Sequence, residues 1–154
     1  MQDMTFVIGP DRPVADIWDA LGAAGLNLEA SCTYPTLDGR VVRVVLADED
    51  AEAGSEALLG AGFGAIDRSE VIIAGLDNRP GALGHLARRV ADSGAMVATL
   101  YMAMGDRVVV GADDLDKVGL SSADERRDIA QRKLTDTDYP SHWPHRTAPR
   151  PTHG

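Results

Sequence analysis

The sequence predicts an α+β fold built from two tandem copies of one unit, strand–helix–strand–strand–helix–strand, with the second copy lacking its closing strand. Three observations carry this. Apolar residues switch between the period of a strand and that of a helix in this order over residues 4–68, and the order starts again over 69–120. Asp38-Gly39 and Gly105-Asp106 each separate two strand-like runs, as tight hairpin turns do. Gly25 and Gly94 each close an amphipathic stretch, and they stand 69 residues apart. Under that offset Leu21 matches Val90 and Asn27 matches Met96, which marks an internal repeat.

Length and composition bound the functions available. A chain of 154 residues fits one ordinary domain or two small ones. Hydrophobic content of 44% and charged content of 25% are those of a globular protein. Aromatic residues make up only 5%, so Ala, Val, Leu and Ile must build the core. A formal net charge of −9 argues against general nucleic-acid binding, which needs a basic footprint. No window approaches the roughly 20 apolar residues of a membrane span, and Met1-Gln2-Asp3-Met4 has neither a basic region nor an apolar signal core. Cys32 is the single cysteine, so neither an internal disulfide nor a thiolate-rich metal site is available. The expectation is a cytoplasmic protein with no cofactor, no membrane partner and no nucleic-acid partner.

In the first copy Thr5–Ile8 reads as a strand, broken by Gly9-Pro10-Asp11-Arg12-Pro13. Val14, Ile17, Trp18, Leu21 and Ala24 then share one helical face. Leu26–Tyr34 alternates with period two, predicting a half-buried strand with Leu26, Leu28, Ala30 and Cys32 inward. Cys32 is read as a small core residue rather than a nucleophile. Pro35–Gly39 is read as the turn, followed by the valine-rich strand Arg40–Ala47. Asp48-Glu49-Asp50 opens a second helix, where the dipole favours acidic residues, and the helix closes at Gly60, Gly62 and Gly64. Ala65–Ile73 is strand-like, with a break near Arg68-Ser69. This order is the ferredoxin-like βαββαβ pattern, with helices on one face of an antiparallel sheet.

The second copy offers Val71–Leu76 as a strand, then a helix over Pro80–Ser93 with Leu83, Leu86, Ala87 and Val90 inward. Ala95–Met104 and Arg107–Ala112 form its hairpin. Nothing after Ala112 reads as a strand. Residues 121–134 read as a charged helical extension, and the proline-bearing stretch 135–154 as a disordered tail. His142 and His145 lie three apart in that tail without a third ligand, so no metal site is assigned.

Leu76-Asp-Asn-Arg-Pro-Gly-Ala-Leu83 packs strand end, turn and helix start into one segment. Pro80 suits a first helical turn, and Gly81 lets another group approach the backbone. Asp77 and Asn78 bring polar atoms to a helix N-terminus, which favours a carboxylate. A plain strand–turn–helix connection accounts for the same residues.

The repeated order, the Pro-Gly turn opening a helix and Gly25-Leu26-Asn27-Leu28 closing one together resemble the ACT domain family over about Met4–Ala112. The resemblance implies a small regulatory module that binds a free amino acid where paired domains meet. It implies ligand contacts from Asp77, Asn78, Gly81, Ala82 and Leu83, completed by Asn27 of the neighbouring domain. It also exposes an asymmetry. The first copy keeps Asn27 but has Asp11-Arg12-Pro13-Val14 in place of Pro-Gly, on a loop two residues shorter. The second copy keeps Asn78 and Gly81 but has Met96, which lacks the donor and acceptor of an amide, in place of Asn. With the copies side by side, one site is competent and one degraded. The open sheet edge further implies a homodimer or larger assembly. An enzyme is a rival class, but no catalytic constellation stands out and His85 falls on a surface position. A protein interaction module with a decayed ligand site is the other alternative.

Overall fold

The computed structural model describes residues 1–120; the expected helical extension over 121–134, the tail over 135–154 and His142/His145 lie outside the described residues. The elements are β1 (Gln2–Ile8), α1 (Ala15–Ala23), β2 (Ala30–Thr36), β3 (Gly39–Leu46), α2 (Ala51–Gly60), β4 (Asp67–Glu70), β5 (Ile72–Gly75), α3 (Ala82–Asp92), β6 (Val97–Ala103), β7 (Arg107–Ala112) and the single turn α4 (Leu115–Val118). They form two antiparallel sheets, ordered β2-β3-β1-β4 and β5-β7-β6. The first is the complete four-stranded unit. In the second, no strand follows β7 among the described residues.

Alternation along the strands divides the side chains between two faces. Met4, Phe6, Ile8, Val42, Val44 and Leu46 lie under α1 and α2 with Ile17, Leu21, Leu58 and Phe63. Ala74, Val108 and Val110 lie under α3 with Leu86 and Val90. The opposite faces meet each other, with Ala30 and Val45 of the first sheet packing against Val71, Ile73 and Val109. The two copies therefore stack face to face within one chain, rather than side by side. Glycine permits close approach within this packing. A Cβ on Gly39 (φ 149°) would stand 2.2 Å from the Ile8 carbonyl oxygen.

Several boundaries differ from the sequence reading. Residues 26–29 are irregular and β2 starts at Ala30; Leu26 and Leu28 still pack on the first core. Pro35 lies in β2 opposite Arg40, not in the turn, and Leu37-Asp38 makes the connection. Proline is tolerated there because β2 is an edge strand. Asp48–Asp50 forms a 3₁₀ turn before α2 rather than its first α-helical turn. The break in Ala65–Ile73 falls at Val71, so Ser69 and Glu70 pair with Asp3 and Gln2.

One ion pair lies on the face that the sheets share. Asp3 is fully buried, and Arg43 donates to its Oδ2 from Nε at 2.9 Å and from Nη2 at 2.6 Å. The same guanidinium lies 5.9 Å from the centre of the Tyr101 ring, on the other sheet. Burial pushes the Asp3 carboxyl above its ordinary range, against the pull of Arg43. Burial likewise raises the Cys32 thiol, which keeps it protonated and unreactive at neutral pH. Arg43→Met strands the buried carboxylate and is expected to cost about 3–5 kcal/mol in urea unfolding. Because its folded-state pKa is raised, Asp3 favours the native state most below about pH 4. Stability measured relative to Asp3→Asn should therefore fall as pH rises through the folded-state value.

Candidate functional site

β5 ends at Gly75, and the chain turns through Leu76–Gly81 into α3. Leu76 N–H donates to the Asp106 carbonyl at 2.7 Å, which fastens the loop to the tip of the β6–β7 hairpin. That tip has positive φ at both Gly105 (72°) and Asp106 (56°), the geometry of a type I′ turn. Next, Arg79 N–H donates to the Asp77 carbonyl at 2.8 Å, and Arg79 Nε lies 3.3 Å from Asp77 Oδ2. Arg79–Ala82 closes as a type II turn, with Ala82 N–H on the Arg79 carbonyl at 3.2 Å and Gly81 at φ 86°, ψ −9°. Pro80 occupies the second position of that turn, so it precedes α3 instead of forming its first turn. Gly81 is the helix cap, and a left-handed backbone there calls for glycine.

The N-cap of α3 is Gly81, which has no side chain to bond the first turn, so neither Asp77 nor Asn78 is the cap residue. Of the first-turn N–H groups of α3, that of Ala82 is taken by the Arg79 carbonyl. A cleft of about 370 Å³ opens at this point. The loop and helix start contribute Asp77, Asn78, Gly81, Ala82, Leu83 and Gly84 to its wall, and the hairpin contributes Met102 and Asp106. Five of the six residues expected at the site thus share one cleft. Asn27 is exposed and does not line it. Ala82 is buried under α3, whereas Leu83 and Ala87, expected inward, are exposed; the buried stripe is Ala82, Leu86 and Val90, at a spacing of four.

The matching loop of the first copy is filled by the protein itself. The Arg12 guanidinium stacks 3.6 Å from the centre of the Phe63 ring and donates to the carbonyls of Ala61 and of Gly62, the latter at 2.9 Å. Arg40 donates to the carbonyls of Pro10 and Arg12. Met96, the counterpart of Asn27, is 70% exposed, and its N–H is held by Asp113 Oδ1 at 2.8 Å. Among the described residues no group of three or more His, Cys, Asp or Glu is placed to hold a metal, and no helix is long and apolar enough to cross a membrane.

With this geometry in hand, comparison with solved structures is informative. Protein BT0572 from Bacteroides thetaiotaomicron is similar with a TM-score of 0.64 at 21% identity, over 87% of this chain and 86% of that one. The ligand-free regulatory subunit of aspartate kinase from Thermus thermophilus matches with a TM-score of 0.58 at 17% identity, over 87% and 90% of the two chains. The regulatory subunit of aspartate kinase from Thermus flavus matches at 0.53 and 18%, over 72% and 81%. The chain shares the α+β fold of these proteins, with two antiparallel sheets. No family model and no curated protein matches the sequence.

Met102 and Asp106 escaped the sequence reading. The Gly105-Asp106 turn was visible, but nothing local indicated that the hairpin tip folds back onto the loop after β5. The strain at Gly81 is directly testable. Gly81→Ala is expected to lower stability by about 1–2 kcal/mol through its left-handed backbone. Gly84→Ala, in the first turn of α3 with open space around its Cβ position, should raise it by up to about 0.5–1 kcal/mol. Chemical denaturation of the two variants separates these outcomes.

Proposed function

We propose that this ACT-fold chain is a non-catalytic regulatory protein, located in the cytoplasm, that binds a free amino acid at the Asp77–Leu83 loop. The observation that carries the reading is the contrast between the two loops. One opens on a cleft at a helix start capped by glycine; the other is sealed by Arg12 and Arg40. The ligand carboxylate takes N–H groups at the start of α3 beyond that of Ala82, and the ammonium takes oxygens of Asp77 and Asn78. Leu83 and Met102 supply apolar contact for the rest of the molecule. Asn27 lies away from the cleft of its own chain, so in this reading it completes the site of a second copy, which makes the working form a homodimer or larger assembly. The two Thermus proteins of similar fold are regulatory subunits of aspartate kinase, which supports the same class of role.

A second reading, a protein interaction module with a decayed site, draws on exposed apolar side chains of the second copy. Met102 is 49% and Met104 76% exposed beside the cleft. Thermal unfolding against the twenty amino acids, with a charge-matched salt control, distinguishes the two. A ligand at 100 times its Kd contributes about 2.7 kcal/mol and raises Tm by several degrees. The regulatory reading expects such a shift for one amino acid or one close group, lost in Asn78→Ala and Asn27→Ala and kept in Met96→Ala. A flat response across the panel favours the interaction module.

A further inference from the structure

The first copy supplies a cation of its own where the second copy has a cleft, and the sheet register shows which residue takes that place in the second. Ile8, the last residue of β1, stands opposite Arg40 of β3, and its side chain lies under α1 and α2. In the second sheet Gly75 stands opposite Arg107. The ladder runs one step further there, with the Leu76 N–H on the Asp106 carbonyl at 2.7 Å. Leu76 packs on the core under α3, as Ile8 packs on the first core. Side chains alternate along a strand, so Leu76 and Asp106 share the face that Ile8 and Arg40 share. Asp106 therefore stands where the first copy has Arg40.

That exchange reverses the charge at one point of two matching loops. The Arg40 guanidinium donates to the carbonyls of Pro10 and Arg12. Counted from Ile8 and Leu76, Pro10 corresponds to Asn78, which lines the same cleft as Asp106. A carboxylate cannot donate to such a carbonyl. Asp106 has no ion-pair partner among the described residues. The other charged groups of the cleft wall, Asp77 and Arg79, pair with each other at 3.3 Å. Arg107, next along the strand, faces the opposite side, where it donates to the Met104 carbonyl and to Glu29. A carboxylate thus lines the cleft at the point where a guanidinium fits in the first copy. Leu83 and Met102 line the same cleft and suit the aliphatic stem of a long cationic side chain.

We propose that the cleft takes a free amino acid whose side chain ends in a guanidinium, with Asp106 as the residue that selects it. The inference rests on the amino-acid reading above and names the side chain that this reading leaves open. A planar guanidinium presents two parallel N–H groups to a carboxylate and keeps further donors for a neighbouring carbonyl, such as that of Asn78. A compact ammonium lacks that fork. The ligand brings to the second loop the group that Arg40 brings to the first.

Calorimetric titration of the full-length chain with L-arginine, L-citrulline and L-lysine tests the proposal. Citrulline has the shape of arginine without its charge. Arginine is expected to bind at least about tenfold more tightly than citrulline, and more tightly than lysine. Asp106→Asn keeps a residue that tolerates the left-handed backbone at φ 56° and removes the charge, so the difference between arginine and citrulline should shrink to about twofold or less. Equal affinity for arginine and citrulline in the unaltered protein overturns the proposal. So does a preference for lysine, or a difference that survives in Asp106→Asn. Binding of an amino acid with an uncharged side chain in place of arginine overturns it as well, while leaving the amino-acid reading standing. If none of the twenty amino acids binds, the reading and the proposal fall together.

Discussion

A single residue joins the two sheets. β4 ends at Glu70 and β5 begins at Ile72, so Val71 alone carries the chain from the edge of one sheet to the edge of the next. With no linker to separate them, the sheets stack on the faces that their helices leave bare, and Val71 is buried in the seam beside Ile73, Val45 and Val109. Small and β-branched residues dominate this seam, as they must where aromatic residues are scarce. The exceptions are Met1 and Tyr101 at its margin and the Asp3–Arg43 pair. A buried ion pair seldom stabilises more than an apolar pair of the same shape would. What it does is penalise any registration of the sheets that would leave either charge alone.

Stacking also explains why one topology presents two different loops. In both copies a strand runs into a helix through a short connection. In the first copy, however, α2 ends close by, and its terminal carbonyls are taken by Arg12 stacked on Phe63. Among the described residues the second copy has the single turn of α4 after its hairpin and no second helix end beside the loop. The hairpin tip makes contact through Leu76 instead and leaves a cleft. A difference in what surrounds the loop thus becomes a difference in whether its backbone is available. Crossing between the copies, Arg107 Nη1 reaches Glu29 Oε2 at 3.2 Å, which ties the residue after Asp106 to the segment that holds Asn27.

Local chemistry made much of this legible. Gly25 and Gly94 end their helices with φ of 73° and 75°, and Asp38-Gly39 and Gly105-Asp106 marked two hairpins, although the first turn is centred one residue earlier. Pro80-Gly81 marked a turn, but its type and the true start of α3 depend on hydrogen bonds to Arg79 that no pattern of residues specifies. Leu83 and Ala87 satisfied a helical stripe by spacing, yet only Ala82, Leu86 and Val90 meet the sheet, since one helix crossing three strands buries a narrow stripe.

What the sequence by itself determined is the order and handedness-sensitive detail of the elements: two copies of one unit, glycine at most of the positions where the backbone turns left-handed, and the polar residues Asp77 and Asn78 at one helix start. These are short-range matters, decided within a few residues by sterics, propensity and alternation. Only the tertiary structure decided that the copies stack instead of lying side by side, that Arg12 and Arg40 seal one loop, and that Met102 and Asp106 line the other while Asn27 does not. Each of these depends on which surfaces far apart in the chain are driven together by burial, and side-chain periodicity carries no record of the partner it will meet.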